Sequence, residues 1–224
     1  MALDRQQETF GASYLGLRVE TVPGWSENQY LYSGQKRVAD IIIGVIGALI
    51  VVLMLPFIAL AIKINSPGPV FYRQRRSGLY GRSFQLIKFR TMVDNAEADG
   101  KALWASENDP RITAVGRVLR RLYIDEFPQW WNVIRGDMSV VGPRPERPEL
   151  AEEIISRVPH FNRRLLAKPG ITGLAQVNYK YVNTMAESRI KLRHDVIYIT
   201  RASFGMDVKL IARTVRRMSQ FKGN

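Results

Sequence analysis

The chain of 224 residues has no cysteine and only two histidines. Without cysteine there is no disulfide bond, no thiolate metal site and no cysteine nucleophile. His160 and His194 are too few and too far apart in the sequence for a typical zinc site. We therefore expect neither zinc chemistry nor thiol chemistry.

Acidic residues are also scarce, with 20 Asp and Glu against 33 Lys and Arg, which gives a formal net charge of +13. Such an excess favours anionic partners, namely nucleic acid, anionic lipid or phosphorylated small molecules. The charge alone does not choose among them. The length suits one catalytic domain with an anchor and is too short for two domains with separate large cores.

Residues 1–35 mix Gly, Ser, Pro and charged residues without sustained periodicity, and we interpret them as a polar extension without chemistry. No charged residue occurs at 41–62. About 22 residues in a helix, at about 1.5 Å each, could cross a hydrocarbon layer of roughly 30 Å. The sequence therefore predicts a membrane segment over residues 36–65.

Two features favour a re-entrant form of this segment. Pro56 interrupts the apolar run and predicts a break or kink in the helix. Lys36 and Arg37 precede the run, and further basic residues follow it: Lys63, Arg73, Arg75 and Arg76. Because basic flanks prefer the cytoplasmic side, we expect a helix-break-helix that enters and leaves on one face. A single span and a buried core helix are the alternatives.

For residues 66–224 the patterns predict an α+β catalytic domain in which helices surround a short β-hairpin or sheet. The hairpin strands are expected at 70–74 and 83–92. Helices are expected at 114–123, from Asp125 to Gly136, at 149–157 and at 188–199, with a turn-rich loop at 168–173. A basic amphipathic helix is expected at 206–221, either lying on an anionic leaflet or packed on the domain.

Three basic side chains are candidates for phosphate binding. Lys88 and Arg90 stand two positions apart and would share one face of a strand, where the alternative is a solvated charged edge. Arg144 lies within a rigid backbone made by Pro143, Pro145 and Pro148. Rigid presentation of a guanidinium suits a bidentate grip on phosphate.

Asp125 and Glu126 form an acidic pair at the start of a predicted helix. Adjacent helical residues point about 100° apart, so we expect the two carboxylates to do different jobs. Asp125 suits a nucleophile that attacks phosphorus, and Glu126 suits a ligand of Mg²⁺. Alternatively, Asp125 caps the helix and Glu126 complements the helix dipole.

An ordered set of motifs resembles the bacterial sugar transferase family of monotopic polyprenyl-phosphate phosphoglycosyl transferases. The motifs are KRVAD at 36–40, SPGPVFYRQ at 66–74, KFRTM at 88–92, DEFPQ at 125–129, GDMS at 136–139, VGPRP at 141–145, KPGITGLAQV at 168–177 and DVIY at 195–198. Each motif alone is weak, but their joint order is highly specific. The resemblance covers nearly everything after residue 35.

The resemblance implies transfer of a sugar 1-phosphate from a UDP-sugar to undecaprenyl phosphate through a phosphosugar bound to Asp125, with Mg²⁺ beside Glu126. It implies substrate-binding positions at Lys88, Arg90, Pro143, Arg144 and Gln176. It also implies a catalytic domain on the cytoplasmic face of the bacterial inner membrane, in contact with anionic phospholipid. Many relatives have Gly-Arg where this chain has Asn178-Tyr179-Lys180, so the sugar is left unspecified.

Two other functions remain as alternatives. One is a basic, membrane-tethered binding module, although no nucleic-acid motif is found and we expect no nucleic-acid partner. The other is a magnesium-dependent hydrolase of lipid pyrophosphates. A homodimer is left open.

Overall fold

The computed structural model of the protein describes residues 28–94, 96, 109–179 and 185–220. It mixes helices with small sheets, as predicted. The helices are α1 (Gly34–Asn65), α2 (Ala114–Arg121), α3 (Trp130–Arg135), α4 (Pro148–Arg157), α5 (Leu174–Asn178), α6 (Met185–Arg201) and α7 (Phe204–Gln220). The strands are β1 (Phe71–Ser77), β2 (Ser83–Phe89), β3 (Ser139–Val141) and β4 (Gly170–Thr172). Short 3₁₀ segments lie at Gln29–Tyr32, Leu79–Gly81, Ile124–Gln129 and Phe161–Leu166.

Helix α1 is long and apolar enough to cross a membrane, judged by its length and composition. Its N-cap is Ser33, whose side chain accepts a hydrogen bond from the Lys36 amide. The helix continues through Pro56, so the predicted break is wrong, while the predicted kink stays a prediction. Pro56 lies on the exposed face, while Ile58 and Ile62 in the turns that follow are packed against the domain and hold the helix in place.

One face of α1 packs against the domain along its whole length. The buried residues of this face recur at helical spacing: Lys36, Asp40, Gly44, Gly47, Ile58 and Ile62. The opposite face exposes large apolar side chains: Ile42, Ile46, Leu49, Leu53, Phe57, Leu60 and Ile64. An apolar surface of this extent marks a membrane or protein contact.

Strands β1 and β2 form the predicted antiparallel hairpin, with Phe71 opposite Phe89 and Ser77 opposite Ser83. The connection includes Tyr80 at φ 54° and Gly81 at φ 78°. Leu86 and Phe89 of β2 are almost fully buried, and they enter two different core clusters. The hairpin therefore ties the two parts of the core together.

The turn-rich loop predicted at 168–173 is wrong in part, because Gly170–Thr172 is a strand that pairs in parallel with Ser139–Val141. The backbones approach closely here. A Cβ on Gly170 would lie 2.1 Å from the amide nitrogen of Gly142, so only glycine fits. Local sequence could not predict this pairing, since the partner strand lies about 30 residues away and both strands are short.

The core has a large cluster around Val133, Met138 and Tyr198, and a second cluster around Ile62 and Phe89. Helix α7 packs on the large cluster through the buried Leu210, and its buried Asp207 accepts a hydrogen bond from the Tyr198 hydroxyl at 2.9 Å. On its other side α7 exposes three apolar side chains: Phe204, Val208 and Val215. The predicted amphipathic helix is therefore docked on the domain, and its outer side presents apolar side chains together with the exposed basic residues Lys209, Arg213 and Arg216.

Candidate active site

The acidic pair lies in the 3₁₀ turn Ile124–Gln129, which leads directly into α3. Tyr123, with φ 57°, reverses the chain between α2 and this turn. Ile124 and Phe127 pack on the second core cluster, and the two carboxylates lie between them in the sequence. The prediction that Asp125 begins and caps the helix is wrong, because Tyr123 holds the cap position and the turn is 3₁₀. Termination of the helix at Gly136, with φ 92°, is confirmed.

Two cationic side chains from distant parts of the chain contact the Glu126 carboxylate. The Lys88 Nζ lies 2.7 Å from Glu126 Oε1. The Arg144 guanidinium approaches with both terminal nitrogens, Nη2 at 2.7 Å from Oε1 and Nη1 at 3.3 Å from Oε2. The structure thus brings together three of the predicted site residues. One carboxylate and two cations leave a net positive charge at this point.

These contacts determine the charge state of Glu126. Burial alone would raise its pKa, but the charges of Arg144 and Lys88, together with their hydrogen bonds, outweigh burial. The net effect lowers the pKa of Glu126 well below its ordinary range. Glu126 is therefore an anion at every pH at which the protein is expected to work.

Asp125 differs sharply from its neighbour. Only 8% of the residue is exposed, and within the described residues no hydrogen bond or ion pair reaches its carboxyl. Burial raises the pKa of Asp125 to about 6, against the lowering effect of Lys88 and with a further raising effect of the Glu126 charge. A carboxylate without partners is a poorly solvated anion, and this is the state expected of an activated nucleophile.

The backbone around Arg144 is held by the β3–β4 sheet. The Gly142 amide donates to Thr172 O at 2.9 Å, and the Gly170 amide donates to Pro143 O at 2.9 Å. Pro143 is buried, and its side chain has no group that could form a hydrogen bond. It acts by limiting the backbone conformation next to Arg144. Arg144 thus projects from a fixed backbone towards Glu126, as the proline-rich sequence predicts.

Two other predicted binding residues are engaged elsewhere. The Arg90 guanidinium is buried and donates to the carbonyls of Pro67 and Ser66, at 2.5 and 2.7 Å, where it holds the residues that follow α1. The Gln176 amide donates from α5 to Ile171 O of β4 at 2.8 Å. Neither side chain contacts the acidic pair in the described part of the chain.

Lys36 and Arg37, predicted as the basic flank of the membrane segment, both point into the protein. The Lys36 Nζ forms a buried ion pair with Asp207 at 2.7 Å. The Arg37 guanidinium donates to the carbonyls of Val133 and Ile134 at the end of α3, at 2.7 and 2.6 Å. These two charges therefore anchor α1 to the domain and do not face lipid headgroups as flanking charges would.

Arg120 is a site residue that the sequence reasoning missed. Its Nε donates to the buried Thr91 Oγ1 at 2.8 Å, and its charge acts to lower the pKa of Asp125. Its place at the end of α2, just before the acidic pair, is the signal that could have identified it. The cationic surroundings of Asp125 are therefore Lys88, Arg120 and Arg144.

The carboxylates of Asp125 and Glu126 are oxygen ligands of the kind that a magnesium ion prefers. Among the described residues no group of three His, Asp or Glu side chains is placed to hold a metal. Mg²⁺ commonly takes one or two carboxylates together with substrate phosphates. Among the residues that the structure describes, none pairs with the carboxyl of Asp125, and Glu126 presents two oxygens that Lys88 and Arg144 already contact. This pair fits an ion that is completed by the phosphates of a substrate.

The chain is similar to known proteins over most of its length. A family model described as bacterial sugar transferase matches residues 31–221. The chain is similar to a UDP-glucose:undecaprenyl-phosphate glucose-1-phosphate transferase of Caulobacter vibrioides, with 43% identity over 187 residues, which are 81% of this chain and 68% of the relative. It is similar to an exopolysaccharide production protein, PSS, of Rhizobium leguminosarum bv. phaseoli, with 39% identity over 80% of this chain and 92% of the relative.

Some relatives are much longer. A UDP-N-acetylgalactosamine-undecaprenyl-phosphate N-acetylgalactosaminephosphotransferase of Aeromonas hydrophila is 40% identical over 186 residues, which are 83% of this chain and 44% of that protein. The chain thus spans less than half the length of this curated relative.

Proposed function

The chain belongs to the bacterial sugar transferase family, and from that premise we propose that it transfers a sugar 1-phosphate from a UDP-sugar to undecaprenyl phosphate. The products are undecaprenyl-diphosphate-sugar and UMP. The proposed role is the first membrane step in the assembly of an exopolysaccharide, an O-antigen or another glycoconjugate.

In the first step, an oxygen of the Asp125 carboxylate attacks the phosphorus that carries the sugar. A bond forms between this oxygen and phosphorus, the phosphorus–oxygen bond to the UMP phosphate breaks, and UMP leaves with the bonding electrons. The product is a phosphosugar bound to Asp125. In the described part of the chain no group donates a hydrogen bond to this carboxyl. This supports the role, since no described partner must be displaced before attack.

In the second step, a phosphate oxygen of undecaprenyl phosphate attacks the same phosphorus. The new phosphorus–oxygen bond forms as the bond to Asp125 breaks, which regenerates the carboxylate. Because the donor and the acceptor are both anions, the surrounding cations must offset their repulsion. Lys88, Arg120 and Arg144 provide three positive charges around Asp125 for this purpose.

We also propose a magnesium ion held by Glu126 and the substrate diphosphate. When bound, Mg²⁺ would neutralise charge on the diphosphate and stabilise the departing UMP phosphate. Glu126 would hold the ion. Lys88 and Arg144, which contact the Glu126 carboxylate in the structure, would lie beside the substrate and could bind its phosphate oxygens.

We propose that α1 is kinked at Pro56 and enters and leaves the membrane on one face, so that the protein is monotopic and its domain lies on the cytoplasmic side. At the start of α1, Lys36 and Arg37 bind the domain. At its end, the Asn65 Oδ1 accepts from the Val115 amide at 3.1 Å, and Arg90 holds the next two carbonyls. Because both ends are tied to one domain, a straight crossing would place parts of that domain on opposite sides.

The observation that carries the proposal is the buried Asp125, which has no partner among the described residues, beside a carboxylate that two cations contact. The test is isotope exchange with purified protein, UDP-sugars and Mg²⁺ in the absence of lipid acceptor. Labelled UMP should enter the UDP-sugar pool, and Asp125→Asn should abolish this exchange. Release of free sugar phosphate without transfer to undecaprenyl phosphate would instead indicate a hydrolase.

A further inference from the structure

We propose that Arg164 is a positioning residue for the transfer reaction, acting through Arg144. This inference rests on the proposed function, because it assigns Arg144 to the substrate phosphates. Arg164 lies in the 3₁₀ segment Phe161–Leu166, outside every motif that pointed to the site. Its side chain is 5% exposed, so it is built into the structure behind the site.

Each nitrogen of the Arg164 guanidinium donates a hydrogen bond. Its Nε and Nη2 lie 3.0 and 2.8 Å from Asp195 Oδ2, and its Nη1 lies 3.1 Å from Glu146 Oε1. Its Nη2 also donates to the backbone carbonyl of Arg144 at 2.9 Å. The ring of Phe161 supports the guanidinium, with its centroid 4.8 Å from Cζ. The planar fork of arginine meets three partners in fixed directions, which a lysine cannot do.

The same backbone stretch is held at two further points. The Arg76 Nη1 donates to Pro145 O at 3.0 Å. The Ser77 amide donates to Glu146 O at 2.9 Å. With the Arg164 contact to Arg144 O, three successive carbonyls are bound by groups from different elements. This stretch lacks regular secondary structure, so these contacts, rather than a ladder of backbone bonds, determine where Arg144 projects.

A direct physical connection therefore runs from α6 to the acidic pair. Asp195 accepts a hydrogen bond from the Arg164 side chain and orients it. Arg164 in turn donates to the backbone carbonyl of Arg144. The Arg144 side chain then contacts both carboxylate oxygens of Glu126. A small displacement of the Arg144 backbone would open this bidentate contact. Replacement of residues that orient metal ligands typically lowers metal affinity or activity by about 10- to 100-fold, and we expect an effect of the same order here.

The test is a double-mutant cycle of Arg164→Lys and Arg144→Ala, with kcat/KM for UMP release as the readout. Arg164→Lys alone should lower kcat/KM by about 10- to 100-fold. In the Arg144→Ala background it should lower kcat/KM by less than about threefold, because the group on which it acts is gone. The matched control is Arg157→Lys on the exposed side of α4, which should change kcat/KM by less than about twofold in either background.

Equal fold losses from Arg164→Lys in the two backgrounds would overturn the proposal, since a general structural role does not depend on the Arg144 side chain. Thermal unfolding of every variant identifies any that does not fold. If Arg164→Lys does not fold, Asp195→Asn takes its place in the cycle, because it keeps the size of the side chain and is expected to show the same coupling. Failure of the proposed function is distinguishable, since the wild-type protein would then release no UMP from any UDP-sugar.

Discussion

Glu126 and Arg144 contact each other through both carboxylate oxygens, with nitrogen–oxygen distances of 2.7 and 3.3 Å. This pairing, shared with Lys88, keeps Glu126 ionised, whereas the adjacent Asp125 has no partner in the described residues and has a raised pKa. Two neighbouring carboxylates thus acquire different properties from their surroundings. That difference supports the separate roles proposed for them.

The pH dependence of kcat/KM should show an acidic limb near pH 6. Asp125 must be ionised to attack, and burial raises its pKa to about 6, while the low pKa of Glu126 adds no limb in this range. Lys88→Met should shift the limb to higher pH, because the charge of Lys88 lowers the pKa of Asp125. Steady-state rates between pH 5 and 9 would show both effects.

The control for this measurement is Arg157→Gln, which removes a cation from an exposed pair on α4 and should leave the limb in place. An unchanged limb in Lys88→Met would contradict the electrostatic assignment of Asp125.

Asp125→Asn should stabilise the fold at pH 8 and have little effect near pH 4. For a raised carboxyl pKa, the folded state binds the proton more tightly, so wild-type stability falls as the pH rises from about 4 to about 6 and is level above that. The amide of the Asp125→Asn variant carries no charge at any of these pH values, so the stability of the variant does not fall in this range. With about 1.4 kcal/mol for each pKa unit, the expected gain at pH 8 is about 1 to 3 kcal/mol.

Denaturant unfolding of both proteins at pH 4 and pH 8 measures this difference. Glu153→Gln, in an exposed pair on α4, is the control and should change the free energy of unfolding by less than about 1 kcal/mol. A destabilised Asp125→Asn at pH 8 would show that the carboxylate is well solvated or paired in solution.

Gly47→Ala in α1 should destabilise the protein by about 1 to 3 kcal/mol and lower its activity. A Cβ at this position would lie 2.4 to 2.6 Å from ring atoms of Trp130, the first residue of α3 after the acidic turn. Displacement of Trp130 would move that turn. Gly34→Ala is a matched control in the same helix, because its Cβ would meet nothing within 4 Å.

Thermal unfolding and UMP release measure the two consequences of Gly47→Ala. Trp130→Leu should restore part of the lost stability in the Gly47→Ala protein. Equal behaviour of the two Gly→Ala variants would contradict the close packing of α1 on α3.

Chelation of Mg²⁺ should abolish UMP release, and Glu126→Gln should raise the Mg²⁺ concentration needed for half-maximal rate by about tenfold or more. The amide lacks the charge that would hold the ion with the substrate phosphates. UMP release titrated with MgCl₂ after chelation measures this, with Glu153→Gln as the control. Full activity in the presence of a chelator would exclude the proposed ion.

Parts of the site can be predicted where neighbouring residues in the sequence determine the local backbone. The hairpin that carries Lys88 follows from alternating strand residues between turn signals, and the end of α3 follows from Gly136. The rigid backbone that presents Arg144 is predicted by the prolines around it. In each of these places the residue type limits the backbone directly, so a short window of sequence contains the necessary information.

Other features depend on partners that are distant in the sequence. Nothing near Arg90 indicates that its guanidinium binds the carbonyls that follow α1, and nothing near Arg164 indicates that it holds Arg144. The 3₁₀ turn at Asp125 was mistaken for the start of an α-helix, because Asp followed by Pro128 is also typical of a helix N-terminus. Packing of Ile124 and Phe127 against the core favours the tighter turn.

Mass spectrometry of the protein after a brief reaction with a UDP-sugar and Mg²⁺, without lipid acceptor, tests the central claim most directly. The account predicts an adduct with the mass of one phosphosugar on the peptide that contains Asp125, formed together with one equivalent of UMP, and lost when undecaprenyl phosphate is added. UMP release that depends on undecaprenyl phosphate from the first turnover, with no adduct on Asp125, would contradict it.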